Sequence, residues 1–385
     1  AFQHFDNVAS KFQVPMLMGA LGGDEDTTFD GTSTEAFWAI RSPLEHIHKI
    51  RVPTFIVGGL HDLFQRSEPL AYETMKLNTT TKLLMGPWNH LEAAVGKGLP
   101  SKEGIPRLNQ IALQWFDQYV KGEDVAADKL PNVTQYVKGA DKYITSTDWP
   151  LPEAKAVTLY MHNRGELKET APSKGAANKQ YLNTPLGGLC SMSASQWTFG
   201  ALGMIPLPCY TENNLADLSS LVYETPVLEE GMYINGPIIA NVWISSNAKD
   251  AQVSVRVSDV HPNGKAMALT NGIHTASLRA VDESRSRYLD GVMIQPWHPY
   301  TKEAKQPLEK GAPTLVPVEI FPTSAWIAPG HKLRVSVGSG NLGQGLPPLP
   351  TLLEMYDWTL HTKLYNEADF PSHVVLPVVP EQVLQ

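Results

Sequence analysis

The spacing of apolar residues changes period near residue 150, and that change limits what the chain can fold into more than any other feature. Before it, short apolar runs alternate with helical stretches. Val52 to Gly59 (VPTFIVGG) is a compact apolar run ending on two glycines, as expected of a buried parallel strand entering a tight loop. Glu68 to Leu77 reads as a helix, and Lys82 to Met85 (KLLM) as a second buried strand stopped by Gly86 and Pro87. An amphipathic helix follows, with Leu108, Ile111, Ala112, Trp115, Phe116 and Tyr119 on one face and Gly122 placed to end it. Strand, helix, strand, helix with short loops is α/β architecture.

Beyond the linker DWPLPEA, Asp148 to Ala154, the period becomes two. Val253, Val255 and Val257 alternate with Ser254, Arg256 and Ser258; Leu333, Val335 and Val337 alternate with Arg334 and Ser336. This is the pattern of half-buried strands with one face on a core. Ile238 to Ile244 and Val374 to Leu376 are further strands, and Pro262-Asn263-Gly264 and Pro329-Gly330 are turns between them. Many strands with little helix predict a β-sandwich of the jelly-roll kind. Leu352 to Leu364 reads as a helix inserted among them.

Composition excludes several partners. With 42% hydrophobic and 18% charged residues the chain can bury real cores. A net charge of −8 argues against nucleic acid, which needs clustered Lys and Arg. No apolar run approaches the roughly 18 residues of a membrane span. The two cysteines, Cys190 and Cys209, flank the irregular stretch SMSASQWTFGALGMIPLP. Two readings are open: a pair of buried thiols, or one disulfide clamping that stretch. A disulfide would contribute roughly 3 kcal/mol in the chain-entropy model and would favour a secreted or periplasmic location over the cytoplasm. No further Cys or His stands at ligand spacing from this pair, so no metal is expected.

The chemistry sits at the two α/β strand ends. Asp62 follows the first strand through Gly58-Gly59-Leu60-His61, and His90 follows the second through Gly86-Pro87-Trp88-Asn89. Adjacent parallel strands joined by a crossover helix end at the same sheet edge, where ligands bind. A carboxylate and an imidazole on those loops can form an acid–base pair, Asp62 orienting one ring nitrogen and leaving the other free as a base. Turn formers and helix caps are the bland alternative. His61, Phe64 and Trp88 are candidate substrate contacts, with core packing or a partly exposed loop position as the competing reading. Asp24, Glu25, Asp26 and Asp30 read as a solvated loop; a calcium loop would lack EF-hand spacing here. Asn78-Thr79-Thr80 and Asn132-Val133-Thr134 match glycosylation sequons.

GGLHDLF followed by LLMGPWNH resembles the acid and histidine motifs of the cocaine esterase-like family, which includes X-Pro dipeptidyl-peptidases and α-amino-acid ester hydrolases. RSPLEHIHKIRVPT before the first strand, DWPLP before the β region, and SSNAKDAQVSVRVSDVHPNGKAMALTNG, APGHKLRVSVGSGN and FPSHVVLPV within it extend the resemblance, in order, over roughly residues 35 to 380. It implies that 1–43 is the end of a helical cap region, 44–150 the C-terminal part of an α/β-hydrolase domain, and 151–385 a galactose-binding-like jelly roll. It also implies that Asp62 and His90 are two members of a Ser-His-Asp triad acting on a small ester or peptide.

The departure lies in the nucleophile. The family's serine stands in a G-x-S-x-G elbow, and no such pentapeptide occurs here. Ser33, Ser42 and Ser339 read as loop serines. The serine is therefore expected on an N-terminal segment of roughly 150 to 220 residues outside this sequence. The expected activity is ester hydrolysis through an acyl-enzyme, without cofactor. An X-Pro dipeptidyl aminopeptidase and a non-catalytic jelly-roll binding module are the alternatives.

Overall fold

The structure, a computed structural model, describes residues 42–93, 107–345 apart from 185 and 302, and 352–384 apart from 353, 354, 357 and 358. The acidic cluster at Asp24–Asp30, Ser33 and nearly all of the expected cap region lie outside the described residues.

The first sheet has strand order β1-β2-β3-β4, with β1 Thr54–Gly59, β2 Thr81–Gly86, β3 Val133–Val137 and β4 Lys142–Ser146. β1 and β2 run parallel from Thr54 opposite Thr81 to Gly59 opposite Gly86, so both strands end level at one edge. Their crossover is α1, Ser67–Met75, close to the expected helix. Period two splits β2 between two cores. Leu83 and Met85 pack with Leu60, Tyr72, Val133 and Trp149 on one face, and Leu84 packs with Trp88, Ile111 and Tyr143 on the other. The amphipathic helix, Leu108–Phe116, lays Ile111 and Trp115 on that second face and loosens into a wider turn, Asp117–Lys121. Phe116, expected on the buried stripe, is exposed there. Gly122 ends the turn at φ +79°, a left-handed position that favours glycine. The antiparallel pair β3–β4 extends the sheet; of this pair, the sequence showed only the sequon at Asn132, whose Val133 and Thr134 are in fact buried strand residues.

The remainder is mostly sheet. Its strands are β5 Lys155–Met161, β6 Leu167–Lys168, β7 Lys179–Leu182, β8 Leu221–Glu224, β9 Met232–Ser246, β10 Gln252–Val260, β11 Ala266–Thr275, β12 Arg287–Leu289, β13 Val292–Gln295, β14 Thr314–Ile327, β15 Lys332–Gly338, β16 His361–Leu364, β17 Asn366–Glu367, β18 Phe370–Pro371 and β19 His373–Val379. One sheet runs β11-β10-β15-β8. The other runs β6-β5-β19-β9-β16-β7, with β14 also paired to β9. Val253, Val255, Val257, Val335 and Val337 of the first meet Ile238, Ala240, Val242, Val318 and Leu376 of the second in one core. The helix expected over Leu352–Leu364 is corrected at its end. Leu352 and Met355 are helical, but His361–Leu364 is strand, because its alternating Thr362 and Leu364 pair with β9 on one side and β7 on the other.

β10 departs from the half-buried expectation, for all nine of its residues are buried. Its polar face is covered by the stretch around the two cysteines. On β10, Asn213 Nδ2 donates to Ser258 Oγ at 2.9 Å and Arg256 Nη1 to Ser220 Oγ at 3.2 Å; on the neighbouring β11, Ser193 Oγ donates to Asn271 Oδ1 at 2.9 Å. Cys190 and Cys209 are disulfide-bonded and close this cover.

The α/β sheet and the sandwich are stitched together along β14. Lys138 N donates to Ser324 O at 2.9 Å and Trp326 N to Lys138 O at 2.7 Å, while Arg66 is paired with Glu319 at 2.7 Å. Asn235, buried on β9, donates to Gln135 Oε1 of β3 at 2.6 Å.

Candidate active site

The loops after β1 and β2 run side by side beyond the strand ends. Leu60 N donates to Gly86 O at 2.8 Å and His61 N to Trp88 O at 3.0 Å, so the parallel pairing continues into the loops. This approach requires glycine at 59, where a Cβ would stand 2.2 Å from Trp88 O. The chain then turns sharply, with Asp62 N donating to Gly59 O at 3.1 Å and Gln65 N to Asp62 O at 3.1 Å. On the other loop Asn89 Oδ1 accepts from Glu92 N at 3.1 Å and caps the helical segment α2, described over His90–Ala93.

These turns bring Asp62 and His90 together. His90 Nδ1 lies 3.1 Å from Asp62 Oδ2 and 3.2 Å from Oδ1. Asp62 is 2% exposed, and its Oδ1 also accepts from Phe64 N at 2.9 Å. With Nδ1–H donating to the carboxylate, the lone pair lies on Nε2. His90 is 38% exposed and, among the described residues, Nε2 has no hydrogen-bond partner. Such a pair can accept a proton at Nε2 while the buried carboxylate stabilises the imidazolium.

The candidate contacts separate. Phe64 is half exposed and sets its ring edge-on to His90, 5.4 Å between centroids. His61 turns away, its Nε2 accepting from Lys138 Nζ at 3.3 Å. Burial, then the Lys138 charge, holds its pKa well below the usual imidazole value, so the ring is neutral. Burial likewise pulls the Lys138 ammonium down to about 8. Trp88 requires a correction. It is 1% exposed and packs with Leu84, Ile111 and Tyr143, because an indole after a buried strand fills the sheet's core more readily than it faces water.

Three neighbours of the pair were missed in the sequence. Phe199 also packs against His90, 5.5 Å between centroids, at φ +60°. Gln196, buried on the short helix Met192–Trp197, donates to Asp62 O at 2.7 Å and to Gln65 Oε1 at 2.9 Å. Gln65 in turn donates to Pro322 O of β14 at 2.6 Å. Two aromatic residues inside a cysteine-bounded stretch were the available signal. Glu68 is the third. Its pKa is pushed up to about 8 by burial and then by the Asp62 charge, partly offset by a hydrogen bond from the Gly59 backbone. Ser339 is buried in the sandwich, its hydroxyl donating to Leu182 O and Thr184 O at 3.1 Å, and Ser42 only precedes the short turn Pro43–Glu45.

Comparison with known proteins decides the family. The profile of the X-Pro dipeptidyl-peptidase C-terminal non-catalytic domain matches residues 125–375, well over half the chain, and that of the X-Pro dipeptidyl-peptidase S15 family matches residues 10–92. The chain belongs to the cocaine esterase-like, X-Pro dipeptidyl-peptidase family. Among members of this family, cocaine esterase of Rhodococcus sp. (strain MB1 Bresler) is 26% identical over 381 residues, 92% of this chain and 61% of the esterase. A putative serine esterase of Mycobacterium bovis (strain ATCC BAA-935 / AF2122/97) is 23% identical over 304 residues, covering 77% of this chain and 45% of that protein. The fold is shared with an α-amino acid ester hydrolase, at TM-score 0.70 and 20% identity over 97% of this chain and 62% of that one. It is also shared with a CocE/NonD family hydrolase from Staphylococcus aureus, at TM-score 0.64 and 16% identity over 89% of this chain and 57% of that one. The chain thus spans about three fifths or less of the length of the family members it matches.

Proposed function

We propose that this chain supplies the acid and the base of a serine hydrolase that cleaves a small carboxylic ester through an acyl-enzyme. The observation that carries the reading is the His90 Nδ1–Asp62 pair at 3.1 Å on level parallel strand ends, with Nε2 free among the described residues. The serine belongs to an N-terminal segment outside these residues, since the sequence holds no G-x-S-x-G elbow. Its hydroxyl attacks the acyl carbonyl as His90 Nε2 takes the proton. His90 then returns that proton to the leaving alkoxide, and the same base activates water to release the acid. Phe64 and Phe199 both contact the imidazole ring and suit an apolar acyl or leaving group. The sandwich is read as a jelly roll whose β14 edge fixes the acid loop. The disulfide supports a secreted or periplasmic setting.

The test is a fluorophosphonate probe on the full natural protein, with p-nitrophenyl acetate as substrate. Labelling of one serine, abolished together with turnover in His90→Ala, is expected. An unlabelled protein, or one whose turnover survives His90→Ala, would leave the binding-module reading in its place. Faster turnover of an X-Pro p-nitroanilide than of the ester would shift the reading to the peptidase.

A further inference from the structure

β10 and β15 pair antiparallel, and their last ladder pairs are Asp259 with Leu333 and Val260 with Lys332. One step further along, His261 and His331 fall opposite each other, each beside a turn, Pro262–Gly264 and Pro329–Gly330. Side chains alternate along a strand, so Asp259 and His261 continue the core-facing row Val253, Val255, Val257. His331 continues the row Val337, Val335, Leu333 in the same way. At the rim of the sandwich two rows of core aliphatics thus end in an acid and two imidazoles.

These three side chains converge. His331 Nδ1 lies 2.8 Å from Asp259 Oδ1, and His261 Nε2 lies 3.3 Å from Asp259 Oδ2. One donor atom from each residue falls within 4.8 Å of the others, and the two rings are 4.4 Å apart. A tetrahedral zinc ion with bonds of about 2.0–2.1 Å holds its ligand atoms roughly 3.4 Å apart, so small side-chain adjustments admit a metal. Two imidazoles with one carboxylate form a borderline-soft donor set that selects Zn2+ over Ca2+ or Mg2+. Asp259 is 7% exposed and His331 18%, which fixes them, whereas His261 at 37% leaves an open side for water as fourth ligand.

We propose that Asp259, His261 and His331 form a binding site for a zinc-type divalent cation that clamps the two turns at the rim of the sandwich. On binding, His331 carries its proton on Nε2 and presents the Nδ1 lone pair to the metal in place of its bond to Asp259. Cysteine-and-histidine spacing along the chain gave no sign of this site, because His331 stands 72 residues beyond Asp259 and reaches it only through the β10–β15 pairing.

The test uses the full natural protein without a polyhistidine tag, stripped with EDTA and titrated with Co2+. A visible d–d band saturating at one equivalent and displaced by Zn2+ is expected, with a higher melting temperature in Zn2+ than in EDTA. His261→Ala, at the exposed turn, should weaken Co2+ binding roughly tenfold or more and leave the melting temperature in EDTA unchanged. His331→Gln should weaken binding likewise. Absence of a saturable band in the parent protein, or equal Co2+ affinity in parent and His261→Ala, overturns the proposal.

Discussion

Asp62 holds His90 by charge and geometry together, and the two can be separated by substitution. Asn at 62 keeps the shape but turns an amide toward Nδ1, favouring the tautomer with its lone pair on the wrong nitrogen. Asp62→Asn should lower kcat by about 10^4 and leave the melting temperature within a few degrees of the parent. Glu68 tests the electrostatics beneath this pair. Its carboxyl lies against Gly58, where a Cβ would stand 1.8 Å from Oε2. With a pKa pushed up to about 8 it is neutral at pH 7, so it adds no charge of its own beside the pair. A raised carboxyl pKa means the folded state holds a proton that the unfolded state releases above its ordinary value near 4.5. The associated stability is complete below that value and is lost as pH rises toward about 8. Urea unfolding at intervals from pH 5 to 8 should therefore show a loss of stability that Glu68→Gln reduces by up to about one proton's worth of slope. Asp62 and His90 were legible in the sequence because each follows an apolar strand by a short loop. Glu68 was legible only as a helix residue, since its perturbation comes from burial under Asp62, which no local pattern encodes.

The covalently closed stretch from Cys190 to Cys209 acts as an element in its own right. It hydrogen-bonds β11 through Ser193 and Asn271, it leads into the segment whose Asn213 and Ser220 cover β10, and it carries Gln196 to the Asp62 backbone and Phe199 to the His90 ring. Period two located β10 and β15, and the apolar runs Ile238 to Ile244 and Val374 to Leu376 fall in β9 and β19. It could not show that β10 is covered twice, because the second cover comes from a stretch with neither helical nor strand period. The disulfide was one of two open readings for the same reason. Cys190→Ser should cost about 2–4 kcal/mol of stability, read by urea unfolding. It should also lower kcat/KM for p-nitrophenyl acetate, because the wall bearing Phe199 and the hydrogen bond to Asp62 O both loosen. If stability falls while kcat/KM stays at the parent value, the stretch serves the fold alone and has no part in the site.

At the scale of the molecule, the α/β sheet as described is bounded by β1. Its far side meets no strand among the described residues, and Thr54 to Val57 are only partly covered, whereas all six residues of β2 are buried. Parallel strands in α/β domains are covered on both faces, and an apolar parallel edge invites association with other chains. The same edge is level with the Asp62 turn, so a strand added beside β1 would end next to the acid–base pair. A strand-to-helix elbow carrying the serine there would remove the open edge and complete the triad at once. Residues 1–385 expressed alone should consequently give aggregated material, or folded material that does not turn over p-nitrophenyl acetate. Co-expression with a segment bearing the G-x-S-x-G elbow should restore solubility and saturable turnover together. A soluble monomer of residues 1–385 that hydrolyses the ester with saturable kinetics, and whose labelled serine lies within this sequence, would show instead that the nucleophile is one of the chain's own serines.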